Sequence, residues 1–147
     1  MFDIRLDESS KNVVLSLQNL DKATTRGMRQ GFYFLGRDLK EDANKNILSK
    51  PRSGRTYKYS GRRHVASVEG ESFANRSGAA RRTLGFQVSG ADQLEFGFRA
   101  GSSTIYTKFL EESLNRPTLK IAVEQNHRNA QKHFEREIER AHREGYL

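Results

Sequence analysis

The stretch that decides the fold begins at Asp21, ends at Leu48 and reads DKATTRGMRQGFYFLGRDLKEDANKNIL. Its apolar residues recur at steps of three and four, the spacing that places side chains on one face of an α-helix. These residues are Met28, Phe32, Leu35, Leu39, Ala43 and Ile47. Polar residues fill the other face, so the pattern predicts one long amphipathic helix that buries one side.

Three glycines interrupt this helical pattern, at Gly27, Gly31 and Gly36. Each glycine costs a helix up to about 1 kcal/mol relative to alanine, but it also lets another backbone approach closely. The sequence leaves open whether these glycines are packing notches or only weak points. Pro51 predicts the end of the helix, because proline disfavours helical geometry at the residue before it.

Short β-rich segments predict strands on both sides of this helix. Val13–Leu17 is apolar and β-branched at its start, which is typical of a strand. Two later runs, at 83–88 and 94–99, flank Gly90-Ala91-Asp92 and predict a hairpin. In the second run, large apolar residues alternate with polar or small ones, so Leu94, Phe96 and Phe98 are expected on one buried face.

A second long helix is predicted near the C-terminus. Arg116-Pro117 fits a helix start, and the helical pattern extends to about Glu144. Before it, Ile105–Glu112 is a short element of uncertain type. The predicted fold class is therefore α+β: a long N-terminal amphipathic helix and a C-terminal helix packed on a small antiparallel sheet, with a long basic loop.

Composition limits the possible classes of protein. The chain has 147 residues, the length of one domain spanning 1–147, and a net charge of +8 with only 35% hydrophobic residues. No apolar stretch approaches the roughly 20 residues of a membrane span. The acids near the N-terminus do not fit a signal peptide, so we expect no membrane contact. The absence of cysteine excludes disulfides and thiolate chemistry, so stability must come from packing or from assembly with other subunits.

Motifs of enzyme chemistry are missing from the sequence. It has no phosphate-binding glycine loop, no Gly-x-Ser-x-Gly elbow and no His-Glu-x-x-His. His127 and His133 are six residues apart, which is the wrong spacing for a helical metal pair, and we interpret them as solvated. Glu111 and Glu112 are interpreted as a solvated pair. We therefore expect no catalytic residue, no metal site and no cofactor.

The strongest compositional signal is an extended basic loop at residues 50–78. From Lys50 to His64 it has six Lys or Arg and no acid, and glycines predict irregular structure through Gly78. The cations expected to contact a partner are Arg52, Arg55, Lys58, Arg62 and Arg63. Three interpretations remain open: phosphate contacts with bases stacked on Tyr57 and Tyr59, docking on an acidic protein surface, or a solvated loop.

Several short motifs follow one another between Met28 and Phe134. They are Gly54-Arg55-Thr56-Tyr57, the stretch from Arg62 to Gly78, Arg82-Thr83-Leu84, Tyr106-Thr107-Lys108-Phe109-Leu110-Glu111 and Arg116-Pro117-Thr118-Leu119. In this order they resemble the tail-completion, or head-tail joining, proteins of long-tailed bacteriophages, also described as minor tail or neck proteins. The chain departs from that family at Glu112–Asn115, where the family usually carries a longer loop with a Phe-Gly-Thr-like turn.

The resemblance implies a structural virion protein without enzymatic activity. Its subunits are expected to form a ring, commonly sixfold, at the interface between neck and tail tube, after assembly in the host cytoplasm. Expected partners are further copies of the chain, neighbouring neck and tail-tube proteins, and genomic DNA in the channel. We expect Tyr106, Phe109 and Leu110 to lie in the core or in a subunit interface. The alternative function is a nucleic-acid-binding protein that uses residues 50–64.

Overall fold

The computed structural model describes residues 2–5, 22–49, 52–74, 77–99 and 102–145. The elements in chain order are β1 (Phe2–Arg5), α1 (Lys22–Ser49), β2 (Thr56–Tyr59), β3 (Arg62–Val65), α2 (Ala79–Thr83), β4 (Leu84–Ser89), β5 (Gln93–Phe98), α3 (Ser102–Lys108), a π-helical turn (Phe109–Ser113) and α4 (Leu119–Gly145). The predicted α+β class is confirmed. The predicted strand Val13–Leu17 lies outside the described residues.

Helix α1 matches the predicted long helix to within one residue at each end. The six apolar residues that recur at helical spacing are all buried, and Phe32, Leu39 and Ala43 are almost completely so. Burial of this single stripe, rather than intrinsic propensity, stabilises a helix that contains three glycines.

The glycines of α1 are packing notches. A Cβ at Gly27 would lie 2.6 Å from the Cα of Ile138 in α4, and one at Gly31 would lie 2.6 Å from the Phe134 ring. A Cβ at Gly36 would overlap the Phe86 ring of β4. Each glycine thus makes room for a neighbouring backbone or ring, which settles the question that the sequence leaves open.

The predicted hairpin is confirmed as β4 and β5, which belong to a three-stranded sheet with strand order β1-β5-β4. At the open end of the hairpin, Arg99 N donates a hydrogen bond to Thr83 O at 2.7 Å. Strand β1 pairs antiparallel with β5, with Phe2 opposite Phe96. The side chains of Leu94, Phe96 and Phe98 are buried as the alternation predicts.

Contacts group the chain into two compact units. The first comprises the described residues within Met1–Asp38, Phe86–Phe96 and Asn126–Leu147, and the second comprises those within Leu39–Gly85 and Gly97–Gln125. In the first unit, Phe32 packs edge-on against Phe134 with ring centroids 4.7 Å apart. In the second unit, the Phe73 and Phe98 rings meet at 5.8 Å.

The prediction of an irregular loop through Gly78 is wrong between Thr56 and Val65, where β2 and β3 form an antiparallel hairpin. Ser60 and Gly61 turn the chain with positive φ angles of 49° and 77°. Two consecutive left-handed residues are the signature of a two-residue hairpin turn. The Ser-Gly pair is therefore a turn between strands rather than a break in structure.

The segment before α4 also differs from a simple helix. Helix α3 continues into the π-helical turn Phe109–Ser113, in which Leu114 N donates to Phe109 O at 3.1 Å. Helix α4 begins at Leu119, so Pro117 precedes the first helical residue by two positions rather than lying in the first turn. Thr118 directly precedes the helix, and its carbonyl oxygen accepts a hydrogen bond from Ala122 N at 3.2 Å.

We expect Gly27→Ala to destabilise the protein by roughly 1–3 kcal/mol, although alanine favours the helix itself by about 1 kcal/mol. The added Cβ would meet backbone atoms of α4, including Glu137 O at 2.8 Å, and backbone cannot rotate away. Urea unfolding measures the change. Thr25→Ala, at an exposed position of the same helix, is the matched control and should change stability by less than about 0.5 kcal/mol. Equal stability of the two variants would contradict the interpretation that Gly27 makes room for the backbone of α4.

Candidate interaction surfaces

Arg52, one of the five cations expected to contact a partner, is held within the protein. Its Nη2 atom donates to Asn46 O and Ile47 O, both at 2.8 Å, and to Phe73 O at 3.2 Å. The first two carbonyls belong to the last turn of α1 and have no partner within the helix. Burial lowers the pKa of Arg52 from its ordinary value, and Glu71 opposes this effect. Arg52 therefore fixes the helix end to the segment around Phe73.

Glu71 fixes the chain that leads into the hairpin. Its Oε1 accepts a hydrogen bond from Ser53 Oγ at 2.6 Å, and its Oε2 accepts from Ser53 N at 3.2 Å and Val68 N at 3.0 Å. The Ser53 hydroxyl contributes most to lowering the pKa of Glu71 below its ordinary value. One carboxylate thereby ties together the two chain segments that enter and leave the hairpin.

The hairpin Thr56–Val65, here called the basic ribbon, has two chemically different faces. Tyr57 is opposite His64 and Tyr59 is opposite Arg62 on one face, because alternate residues of a strand share a face. On the other face, Lys58 is opposite Arg63 and Thr56 is opposite Val65. The ladder continues at the base, where Gly54 N donates to Ala66 O at 2.9 Å and Ala66 N donates to Arg55 O at 3.1 Å.

The other four predicted contact residues, Arg55, Lys58, Arg62 and Arg63, are all exposed. Within the described part of the chain, none of their side chains forms a hydrogen bond or an ion pair. The structure thus places these four cations on or beside the basic ribbon. It separates them from Arg52, whose guanidinium is occupied by backbone carbonyls.

A second surface, here called the apolar ridge, consists of Ile105, Tyr106 and Phe109 on α3 and the π-helical turn. Ile105 is 77% exposed, and Tyr106 and Phe109 are each 48% exposed. Thr107 and Leu110 are buried on the opposite side of the same segment. Leu110 is therefore a core residue, whereas Tyr106 and Phe109 face outward. Sequence reasoning missed Ile105, because its helical face is recognisable only after the inward residues are known.

The interpretation of Glu111 as a solvated carboxylate is wrong. Its side chain is half-buried, and Oε1 accepts hydrogen bonds from Thr118 N at 2.7 Å and Leu119 N at 2.8 Å, at the start of α4. Burial raises the pKa of Glu111 above its ordinary value, although these two hydrogen bonds oppose the shift. Sequence reasoning missed this role, because Thr118 lies seven positions further along the chain and only the fold brings its amide to Glu111. Glu112 is exposed.

The histidines hold no metal constellation in the described residues, where no group of three or more His, Cys, Asp or Glu side chains converges. His127 is exposed, as expected. His133 is not solvated: its Nε2 lies 2.7 Å from Asp38 Oδ2, and its ring stacks on Phe34 at 6.2 Å. His142 Nε2 lies 2.8 Å from Thr24 Oγ1. These contacts join α1 to α4.

Comparison with known proteins returned no match to a family model, a curated protein or a solved structure. Among the described helices, none has the length and the apolar content that crossing a membrane requires. The basic ribbon and the apolar ridge are therefore the surfaces that bear on function, together with the sequence resemblance.

We expect Arg52→Ala to lower stability by roughly 1–3 kcal/mol, because it leaves buried carbonyl acceptors of α1 and Phe73 without a donor. Arg55→Ala removes an exposed cation nearby and should change stability by less than about 0.5 kcal/mol. Thermal and urea unfolding of both variants provide the comparison. If both variants lose the same stability, the hydrogen bonds of Arg52 do not distinguish it from the exposed Arg55, and the interpretation is contradicted.

Glu111→Gln tests the role of the Glu111 carboxylate at the start of α4 through the pH dependence of stability. The raised pKa of Glu111 means that the folded state binds its proton more tightly than the unfolded state. Its stabilising contribution is therefore complete below the unfolded-state pKa and is lost as pH rises through the folded-state pKa. The free energy of unfolding of the wild type should fall relative to that of Glu111→Gln between acidic and neutral pH. Urea unfolding across this range measures the difference, with Glu112→Gln as the exposed control. If the free energy of unfolding of the wild type instead rises relative to that of Glu111→Gln as pH increases, the raised pKa of Glu111 is contradicted.

Proposed function

We propose that this chain is a structural, non-enzymatic assembly protein of the phage tail-completion or head-tail joining class. In this proposal its subunits associate as a ring at the interface between neck and tail and join the tail to the head. The observation that carries the proposal is the apolar ridge, which supplies a surface for a neighbouring subunit. The ordered motifs between Met28 and Phe134 and the α+β fold class support the same assignment.

The ridge has the chemistry of a protein interface. Ile105 and the aromatic rings of Tyr106 and Phe109 are adjacent on one helical face, at spacings of three and four residues. Complete burial of the exposed parts of these side chains contributes roughly 3–5 kcal/mol before the costs of association. Scattered exposed apolar residues are ordinary on a protein surface, but a contiguous group that includes aromatic rings is typical of a contact site.

A closed ring places a further demand on the surface. Head-to-tail association uses two different patches, one on each side of the subunit, and closes when the rotation between neighbours divides a full turn. The apolar ridge serves as one of these patches in the proposal. A lean hydrophobic content of 35% agrees with a chain that gains stability from assembly as well as from its own core.

We expect the wild-type chain to form oligomers and the double variant Ile105→Ser/Phe109→Ser to dissociate into subunits at the same concentration. Light scattering behind size exclusion gives the mass directly. Leu48→Ser is the matched control, because Leu48 is also an exposed apolar residue, at 55%, but lies on α1. A wild-type monomer at every concentration, or equal dissociation of the control, would refute self-association through the ridge.

The joining role itself requires an assay with phage components. Filled heads and tails produced without this chain should join when the wild-type protein is added and should remain separate with Ile105→Ser/Phe109→Ser. Electron microscopy counts the joined particles, and Leu48→Ser should restore joining like the wild type. Efficient joining in the absence of the chain would refute the proposed role without bearing on its oligomeric state.

A further inference from the structure

We propose that the basic ribbon binds double-stranded DNA through phosphate contacts made from both of its faces. The inference goes beyond the assembly role and does not depend on it, because the ribbon shares no residue with the apolar ridge. It is carried by the position of four exposed cations on or beside a two-stranded hairpin and by the absence of acids on that hairpin.

The cations occupy both faces of the ribbon. Lys58 and Arg63 lie on one face as directly opposed partners. Arg62 lies on the other face, and Arg55 lies at the base, just before β2. A flat acidic protein surface would engage one face of such a hairpin, whereas a duplex groove presents phosphates on both sides of an inserted element. The distribution of charge therefore favours duplex DNA over an acidic protein.

The opposed pair Lys58 and Arg63 is electrostatically unfavourable in the isolated chain. Directly opposed residues of an antiparallel pair have Cβ atoms about 4.5–5.5 Å apart, and like charges at that position destabilise the hairpin. Within the described residues, no carboxylate pairs with either cation. A phosphate placed between them relieves this repulsion, so the pair favours the binding of an anion.

The shape of the ribbon matches the proposed ligand. All four residues of β2 and the first two of β3 are exposed, so the tip extends away from its base. Four strand residues span about 13 Å, and the major groove of DNA, about 12 Å wide and 8.5 Å deep, admits a two-stranded ribbon. The ribbon is thus long enough to reach phosphates on both sides of the groove.

The aromatic residues favour a duplex over a single strand. The Tyr57 ring meets the His64 ring edge-on, with centroids 5.0 Å apart, so one side of the ring is covered within the hairpin. Tyr57 is 37% exposed and Tyr59 is 39% exposed, so neither ring is fully open. Single-strand binders instead offer open aromatic faces on which successive bases stack.

The test is fluorescence anisotropy of the full chain with a labelled 20-base-pair duplex at several salt concentrations. Each phosphate contact contributes about 0.9 to the slope of log affinity against log salt, so four contacts give a slope near −3.6 and a loss of about 150-fold between about 50 and 200 mM salt. The variant Lys58→Gln/Arg63→Gln removes two contacts and should halve the slope. This variant also relieves the repulsion in the hairpin, so a loss of binding does not arise from unfolding, and circular dichroism verifies the fold.

Matched controls and competing ligands decide the outcome. Lys40→Gln/Arg128→Gln removes the same charge from exposed positions on α1 and α4 and should leave the affinity and slope unchanged. Equal losses for the two double variants would overturn the proposal, because net charge alone would then explain the binding.

Tighter binding of a labelled 20-nucleotide single strand would also overturn the proposal. So would binding of a labelled polyglutamate peptide without binding of the duplex, which would identify an acidic protein surface as the partner. The mass measurement on the apolar ridge variants is read separately, so failure of either proposal leaves the other testable.

Discussion

Direct contact between the backbones of α1 and α4 at Gly27 is the constraint on which the first unit depends. Because a side chain at this position would overlap Ile138 and Glu137, the two helices come closer here than side chains elsewhere allow. This approach sets the register for Phe32 against Phe134. Two turns after Gly27, the Phe34 ring lies beneath the guanidinium groups of Arg37 and Arg136, at 5.0 and 5.2 Å. These exposed charged contacts each contribute little, so the glycine contact, and not charge, determines how the helices pack.

Periodicity made the regular half of the fold predictable. The helical spacing from Met28 to Ile47 identified α1, and the strict alternation of Leu94, Phe96 and Phe98 identified β5, because each pattern reports burial on one side of an element. The basic ribbon escaped prediction for the opposite reason. Its residues are exposed on both faces, so no apolar alternation marks them, and its turn depends on the left-handed backbone of Ser60. The π-helical turn escaped because its spacing belongs to neither standard period.

The candidate contact residues show where sequence reasoning about charge reaches its limit. Composition identified the five candidate cations, but it gave Arg52 the same role as Arg55, Lys58, Arg62 and Arg63. The distinction depends on carbonyl oxygens contributed by the end of α1 and by Phe73, which are distant in sequence. Glu71 and Glu111 were missed in the same way. Their function is to accept hydrogen bonds from backbone amides, and only the folded chain brings those amides within reach.

Beneath each candidate surface, a single carboxylate holds the supporting backbone in place. Glu71 ties the two segments that enter and leave the basic ribbon, and Glu111 ties the π-helical turn beneath the apolar ridge to the first turn of α4. A side chain that orders a segment before a partner arrives reduces the entropy lost on binding. The exposed residues of each surface are thus presented from fixed backbone. This shared construction explains why an acid stands beside each surface: the acid organises the chain, while the cations of the basic ribbon and the apolar groups of the apolar ridge are exposed for contact.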